Sequence, residues 1–370
     1  MKTYRVLGLM SGSSLDGLDI AFCDMHWNGQ TLDAWHISHA ETLPFTDVWQ
    51  AQLRHLPNAS GRELATAHAQ FGHHIGELVN QFLQQYPSKP DFIASHGHTI
   101  FHYPDQRMTL QLGDGAAIAA TTGYPVIADF RAMDIALGGQ GAPVAPIADR
   151  YLLPGYDFYL NLGGIANITC HARDSYIAFD IGGANQVLNM LAQQLGLPYD
   201  NGGAIAASGA LQTELLAQAN ALPYHALPYP KSLGNDWVQE QLIPIFREFD
   251  ATIADNLHTA CHYIAHQVAK DMDAIIKREL LQQPRYRLLA TGGGALNQFL
   301  MHCIQQACDN VADIEITIPA PEIISFKEAA LIALMGVLRL ENQPNCIASV
   351  TGATRHAIGG AIHQGWQQQI

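Results

Sequence analysis

The chain has 370 residues, 48% hydrophobic and 14% charged, with 19 Lys and Arg against 33 Asp and Glu for a formal net charge of −14. This length and apolar content predict two cored domains rather than a disordered chain, and the acidic balance without a Lys/Arg cluster argues against nucleic-acid binding by counterion release. An acidic enzyme that binds a nucleotide needs a divalent cation and backbone dipoles to offset its own field.

In chain order, Met1-Lys-Thr-Tyr-Arg5 runs directly into a β-type segment over 4–9 with no apolar targeting region before it. No stretch reaches about 20 uninterrupted apolar residues, so the expectation is a soluble, unexported, cytoplasmic protein without membrane contact. A second β-type run, 20–25, follows Gly8-Leu-Met-Ser-Gly-Ser-Ser-Leu-Asp-Gly-Leu-Asp19, which therefore reads as a hairpin tip. A P-loop or dinucleotide fingerprint would instead open a helix and carry GxxxxGK[ST] or GxGxxG. Glycine lets backbone N–H groups approach an anion, and Ser11, Ser13 and Ser14 add hydroxyls, so phosphate is the expected guest; such a turn taken alone is equally an ordinary turn.

Leu64, Ala67, Phe71, Ile75, Leu78 and Phe82 recur at helical spacing and predict a helix over 60–85, followed by a strand over 91–95. His96, His98 and His102 follow; without a further carboxylate partner they read as hydrogen-bonding groups for backbone or sugar rather than zinc ligands. Arg131 and Asp134 sit in a mostly apolar segment and read either as a substrate-facing cation and carboxylate or as a pair locking a hinge. Residues 157–172 then repeat the opening pattern, with the turn Gly163-Gly-Ile-Ala-Asn167 between two β-type runs.

The strand 176–179 leads into a second glycine loop, Phe179-Asp-Ile-Gly-Gly-Ala-Asn185, and a helix from 185 to about 195. Asp180, at the end of an apolar strand, is placed for a general base, or else caps that helix. A long amphipathic helix over 253–281 leads to the strand 287–290 and a third glycine loop, Thr291-Gly-Gly-Gly-Ala-Leu-Asn297. Glu328 precedes an apolar helical run and reads from the sequence as an ordinary helix start. Six cysteines (Cys23, Cys170, Cys261, Cys303, Cys308, Cys346) show no CxxC spacing, which fits reduced thiols in a cytoplasm.

The repeat predicts a duplicated α/β architecture with a cleft. The three loops make joint chemical sense with one nucleotide there, the turns at Gly12 and Gly182 on its phosphates and Gly292-Gly293-Gly294 flat against adenine or ribose. Asp16 or Asp19 would hold Mg²⁺ through water. Glycines in 131–141 and 351–360, where the chain is expected to cross between lobes, would serve as hinges for closure on substrate.

The first loop resembles the opening motif of the anhydro-N-acetylmuramic acid kinases, within the acetate and sugar kinase, heat-shock chaperone and actin superfamily. The resemblance continues through Ser95-His-Gly-His-Thr-Ile-Phe-His-Tyr-Pro104, Ala128-Asp-Phe-Arg-Ala-Met-Asp-Ile-Ala-Leu-Gly-Gly-Gln-Gly-Ala-Pro143, Asn161-Leu-Gly-Gly-Ile-Ala-Asn167, Pro230-Lys-Ser-Leu-Gly234, the third loop and Phe326-Lys-Glu-Ala-Ala330, covering essentially the whole chain.

The resemblance implies an α/β, duplicated ribonuclease H-like (actin-like ATPase) two-lobed fold with an interdomain cleft, each lobe around a mixed five-stranded sheet. Residues 1–130 plus about 351–370 would form the N-terminal lobe, and 131–350 the C-terminal lobe. It implies ATP and Mg²⁺ as cofactors, 1,6-anhydro-N-acetylmuramic acid as substrate, N-acetylmuramic acid 6-phosphate as product, a place in peptidoglycan recycling, and a homodimer; the apolar residues near 334–338 read either as a contribution to its interface or as core. Asp180 matches the catalytic base. ATP falls to Gly12, Ser13, Ser14, Leu15, Asp16, Gly17, Leu18, Asp19, Gly182, Asn185, Gly292, Gly293 and Gly294, and the sugar to His96, Thr99, Arg131, Asp134 and Glu328. Another carbohydrate kinase of the superfamily, or an ATP-dependent sensor or chaperone-like module, stands as the alternative.

Three positions depart from the family pattern. Ile181, Gly183 and Ala184 replace Thr, Pro and Gly in the second loop, Asn235-Asp236 stands where a cation is usual after Gly234, and His98 replaces Gln.

Overall fold

A computed structural model describes residues 1–12, 15–142, 145–172 and 175–366. The chain forms two compact units, Met1–Pro154 with Phe326–Ile370, and Gly155–Ser325. The expected division at 130/131 and 350/351 gives way to one at 154/155 and 325/326, for a packing reason. Ile135, Ile147, Ala148 and Leu152, and Leu334, Met335, Val337 and Leu338 of the helix Pro321–Leu340, share one core with Val6, Ala21 and Cys23. The segments 131–141 and 351–360 therefore lie inside the first unit and are not crossings, and 334–338 is core rather than a surface for a second copy.

In the first unit, β1 (Lys2–Ser11) and β2 (Gly17–Trp27) form the expected hairpin, with Met10 opposite Asp19. Both are inner strands, so Val6 to Leu9 and Leu18 to Met25 read as nearly continuous apolar runs buried on both faces. An added β3 (Leu32–Pro44), absent from the sequence reading, lines the open edge of β2, and its half-exposed, mixed composition suits an edge. The chain then crosses through the helix Gly61–Gln85, whose N-terminus is capped by Ser60 Oγ accepting from the Glu63 N–H, and whose Phe71, Ile75, Leu78 and Phe82 are buried. It returns as β4 (Phe92–Tyr103), parallel to β1. β5 (Met108–Leu112) folds back antiparallel on β4, β6 (Val126–Ala128) pairs β4 in parallel, and the strand Ala361–His363 pairs β6. These additions make a seven-stranded sheet instead of the expected five. Where β1 crosses the helix Pro321–Leu340, a Cβ on Gly8 would sit 1.9 Å from the Ala329 carbonyl oxygen, so only glycine allows that approach.

In the second unit, β7 (Phe158–Leu162), β8 (Ile165–Ala172) and β9 (Ser175–Gly183) form an antiparallel meander. β10 (Tyr286–Thr291) then pairs β7 in parallel, and β11 (Ile314–Thr317) pairs β10 in parallel. The helix Ile253–Arg278, capped by Thr252 Oγ1 on the Asp255 N–H, is buried on most sides and organises the core of this unit.

The sheet orders β3-β2-β1-β4-β6 and β9-β8-β7-β10-β11 are the same order with the same strand directions. Three antiparallel strands followed by two parallel ones on the first strand's free side is the ribonuclease H-like arrangement, present here twice.

Candidate active site

The second unit brings two of the three glycine loops together with the Gly163–Gly164 turn. Backbone N–H groups of Ala184, Asn185 and Gln186 donate to the Gly163 and Gly164 carbonyls at 2.9 to 3.3 Å. The Asn185 side chain donates to the Leu162 carbonyl at 2.9 Å and lies against Gly293 and Gly294. Gly292 has φ +80, and a Cβ there would strike the Leu162 backbone at 2.7 Å, which is why this turn takes glycine. Gly294 is likewise packed on Leu162, whereas Gly293 is exposed, with only the Asn185 amide near it. Asn185 and Gly292 thus build the loop pair, and Gly293 presents its backbone.

Asp180 owes its placement to a β-bulge. Ala166 pairs Gly182 but Asn167 pairs Asp180, leaving Ile181 as the extra residue of β9, and a bulge re-aims the neighbouring side chains. Ile181 points into the core and Asp180 emerges half-exposed. Its Oδ2 accepts from Ser232 Oγ at 2.8 Å and from the Leu233 N–H at 3.1 Å, while Oδ1 accepts no hydrogen bond from the described residues. The Asp180 N–H donates to the Lys231 carbonyl at 3.2 Å, and its own carbonyl accepts from Tyr224 Oη at 2.7 Å. It does not cap the following helix, whose N-cap is Ala184 without a side-chain bond.

The departures in this loop are packing adjustments. With residue 181 in the core, a hydroxyl there is not part of the surface that Asp180 faces. A Cβ on Gly183 would meet Leu242 and Val238 at 2.7 and 2.9 Å, so the side chains here fit a glycine in place of proline. Asn235 Oδ1 accepts from Gln186 Nε2 at 2.7 Å, using the position for a loop contact.

The polar layer around Asp180 is the part that sequence reasoning missed. Tyr224 is pushed well up by burial and by the nearby Asp180 and Asp271 charges. His225, buried, lies 2.9 Å from Tyr263 Oη through Nε2 and is held neutral, its pKa down to about 3 through burial and then the Lys231, Lys270 and His266 charges. Lys231 Nζ pairs with Asp271 at 3.1 Å. Pro230 to Gly234 was the only visible signal for these partners; Tyr263 and Asp271 read as one face of a core helix.

In the first unit, Gly12 is half-buried and its carbonyl accepts from the Leu15 N–H at 3.4 Å, while Ser13 and Ser14 lie outside the described residues, as does Pro143. Leu15 and Leu18 are core residues, so only their backbone is offered to a ligand, and Gly17 is required by the Leu43 carbonyl, 2.4 Å from where its Cβ would stand. Asp19 accepts from Thr42 Oγ1 at 2.6 Å; burial raises its pKa, Thr42 lowers it, and the Asp16 and Glu328 charges raise it further. The exposed Asp16 and Glu328 thus share one electrostatic neighbourhood with it.

His96 is buried, with Nδ1 3.0 Å from the Gly97 carbonyl. A carbonyl can only accept, so Nδ1 carries the proton and Nε2 is an acceptor, buried and without a partner. Burial, then the Arg131 charge, depresses its pKa to about 3. Arg131 Nε is also buried and unpartnered; burial lowers its pKa, while the nearby Cys346 and Glu328 charges work against that lowering. Thr99 Oγ1 accepts a 3.4 Å bond from Gln111, and His98 Nδ1 lies 3.0 Å from Ser11 Oγ, tying β4 to β1.

Asp134 differs from expectation. It is fully buried, its Oδ2 accepts from the Gly141 N–H and its Oδ1 from Thr351 Oγ1, both at 2.8 Å, so it clamps the loop after its helix.

Among the described residues no group of three or more His, Cys, Asp or Glu is placed to hold a metal ion, and no helix is long and apolar enough to cross a membrane. Asp16 and Asp19 nevertheless suit Mg²⁺, which takes one or two carboxylates and completes its shell with water and phosphate; a dication there would relieve the like-charge pressure on Asp19. Two cavities in the second unit, of about 610 and 570 Å³, lie along the helices Ile253–Arg278 and Gln298–Asp309 and beside Asn201–Gly203; neither includes a predicted site residue.

A duplicated ribonuclease H-like fold with glycine loops and a held carboxylate at a strand end fits phosphoryl transfer, but the same fold also carries other ATP-dependent functions, so the class is decided by the family. The family profile described as anhydro-N-acetylmuramic acid kinase matches residues 4–365. The chain is 33% identical over 368 residues to the anhydro-N-acetylmuramic acid kinase of Hydrogenovibrio crunogenus, covering 96% of this chain and 97% of that protein. It is 32% identical over 386 residues to that of Haemophilus influenzae, covering 98% of each. Among solved structures, the activator of the 2-hydroxyisocaproyl-CoA dehydratase from Clostridium difficile with bound ADPNP aligns over 91% of this chain and 97% of its own, at 13% identity and a TM-score of 0.41. The chain belongs to the anhydro-N-acetylmuramic acid kinase family, and is a transferase.

Proposed function

We propose that the chain opens the anhydro bridge of 1,6-anhydro-N-acetylmuramic acid with water and transfers the γ-phosphoryl group of ATP to O6, giving N-acetylmuramic acid 6-phosphate for peptidoglycan recycling. The observation that carries the role of Asp180 is its asymmetry: two donors fix Oδ2, and Oδ1 is left to accept a proton. Water gives that proton to Oδ1 as its oxygen bonds C1; the C1–O6 bond breaks, and O6 takes the phosphoryl group as the bond to the ADP oxygen breaks. A carboxylate locked in orientation loses little entropy at that step, and phosphoryl transfer asks mainly for positioning and charge stabilisation.

The ATP phosphates are assigned to the backbone of 12–19, with Ser13 and Ser14, and to Gly182, and the nucleoside to the loops of Asn185 and Gly292 to Gly294. Mg²⁺, held through water by Asp16 and Asp19, would offset phosphate charge. His96, Thr99, Arg131 and Glu328 are assigned to the sugar; Nε2 of His96 suits a sugar hydroxyl, and Arg131 a carboxylate such as the lactyl group. Six free, buried cysteines support a cytoplasmic location, and the homodimer rests on the family resemblance.

Incubation with ATP, Mg²⁺ and the anhydro sugar in ¹⁸O-water tests the reading by mass spectrometry. The expected product carries phosphate on O6 and one ¹⁸O at C1. Product phosphorylated without ring opening, or no product, would refute it.

A further inference from the structure

The segment that aims Asp180 is itself anchored by a buried ion pair. Ser232 and Leu233 hold the Asp180 carboxylate, and the Lys231 carbonyl receives its N–H. From the same segment, the Lys231 side chain, 3% exposed, reaches Asp271 of the helix Ile253–Arg278, with Nζ 3.1 Å from each carboxylate oxygen. Asp271 Oδ2 has no hydrogen-bond partner, so the ammonium is the close compensation for that buried charge. Nζ also lies 5.1 Å from the Tyr224 ring and 5.6 Å from the Phe179 ring. Tyr224 binds the Asp180 carbonyl, and Phe179 precedes Asp180 on β9.

One ammonium therefore touches the groups that fix Asp180 from the loop, the strand and the supporting tyrosine. For stability alone such a pair is a poor device, since apolar residues of similar volume often serve as well; what it supplies is a directed, short-range constraint. We propose that Lys231, through Asp271, is a positioning residue for Asp180, setting the loop 231–233 so that Oδ2 is held and Oδ1 faces the reacting water. The proposal rests on the reading of Asp180 as the base. The fork-shaped guanidinium of arginine would not replace the compact ammonium between two rings.

The test uses the full chain and five variants: Lys231→Met, Lys231→Arg, the apolar pair Lys231→Met/Asp271→Leu, Asp180→Asn alone, and Lys231→Met/Asp271→Leu combined with Asp180→Asn. The apolar pair keeps the interior neutral where Lys231→Met alone strands a buried carboxylate. It should melt near the parent and keep the parent's KM for ATP and sugar, while kcat falls on the order of 10–100-fold, the scale of a small misplacement of a reacting group. Lys231→Arg should lose kcat in the same direction. Once Asp180 is Asn, adding the pair should cost nothing more, because the two act as one unit. A folded apolar pair turning over at the parent's rate, a further additive loss in the Asp180→Asn background, or failure of the apolar pair to fold would each overturn the positioning role. Parent-like turnover of Asp180→Asn alone would instead remove the base on which it rests, a distinguishable result.

Discussion

The two units share a sheet order yet leave their polar groups in different states. In the second, Asp180 itself is tied: both its backbone groups and its Oδ2 are bonded and the supporting lysine is paired, although His225 Nδ1 and Asp271 Oδ2 in the layer behind it are buried without hydrogen-bond partners. In the first, Ser95 Oγ, His96 Nε2 and Arg131 Nε are buried without partners, and Asp19 is held among like charges. Each unsatisfied buried group costs about 1–3 kcal/mol, recoverable when a ligand bonds it. On the proposed reading the contrast is a division of labour, with the carboxylate assigned to reaction fixed in advance and the groups assigned to recognition left for ligands to complete.

Asp180→Asn is the strongest test of the fixed side. The amide keeps shape and can still accept from Ser232 and Leu233 but does not take a proton, so kcat should fall on the order of 10²–10⁴-fold with calorimetric ATP affinity unchanged. A parallel loss of ATP affinity would mean that Asp180 belongs to nucleotide binding, and the division would fail. Arg131→Met tests the open side: hydrogen bonds to charged groups are worth about 1.5–3 kcal/mol, so KM for the sugar should rise about 10–100-fold. Its melting temperature should not drop, since the change removes an unpartnered buried donor. Unchanged sugar KM would leave Arg131 without a ligand.

Asp134→Asn sharpens the line between the two kinds of group within the first unit. Rotated either way, the amide can accept only one of the two bonds that Asp134 takes from Gly141 and Thr351, so unfolding in denaturant should show a loss of about 1–3 kcal/mol with sugar KM unaltered. A rise in sugar KM without a stability loss would restore Asp134 to the substrate.

The strand and helix pattern was legible because period and capping act locally. The hairpin at 8–19, the helix Gly61–Gln85 and the duplication all show in hydrophobic spacing and turn residues. Asp180 showed for the same reason, as a carboxylate ending an apolar strand before a glycine loop. The bulge at Ile181 was not legible, because register depends on the partner strand, and Lys231, Asp271 and Tyr224 were hidden because only long-range packing brings them to Asp180. Asp134 misled because a loop clamp and a ligand group have the same composition signal. The unit boundaries moved because 131–154 and 326–350 complete a core begun by β1 and β2, a pairing that local pattern does not encode.

The smallest expected effect separates a buried neutral histidine from an exposed one in the open region. His96 has a folded pKa of about 3 against an ordinary 6.5, so between those values the unfolded chain binds a proton that the native state refuses. The sign follows: this depressed base leaves stability intact above pH 6.5, and stability falls as pH drops from 6.5 toward 3. Between pH 7 and 5.5 the loss amounts to about 1 kcal/mol for this one group, from 1.36 kcal/mol per pH unit below the unfolded pKa. Denaturant unfolding at the two pH values should therefore show the parent losing about 1 kcal/mol more than His96→Gln, which keeps a buried acceptor but does not titrate. Equal losses in parent and variant would show that His96 charges in the native state, and its Nε2 would no longer stand as an acceptor reserved for a ligand.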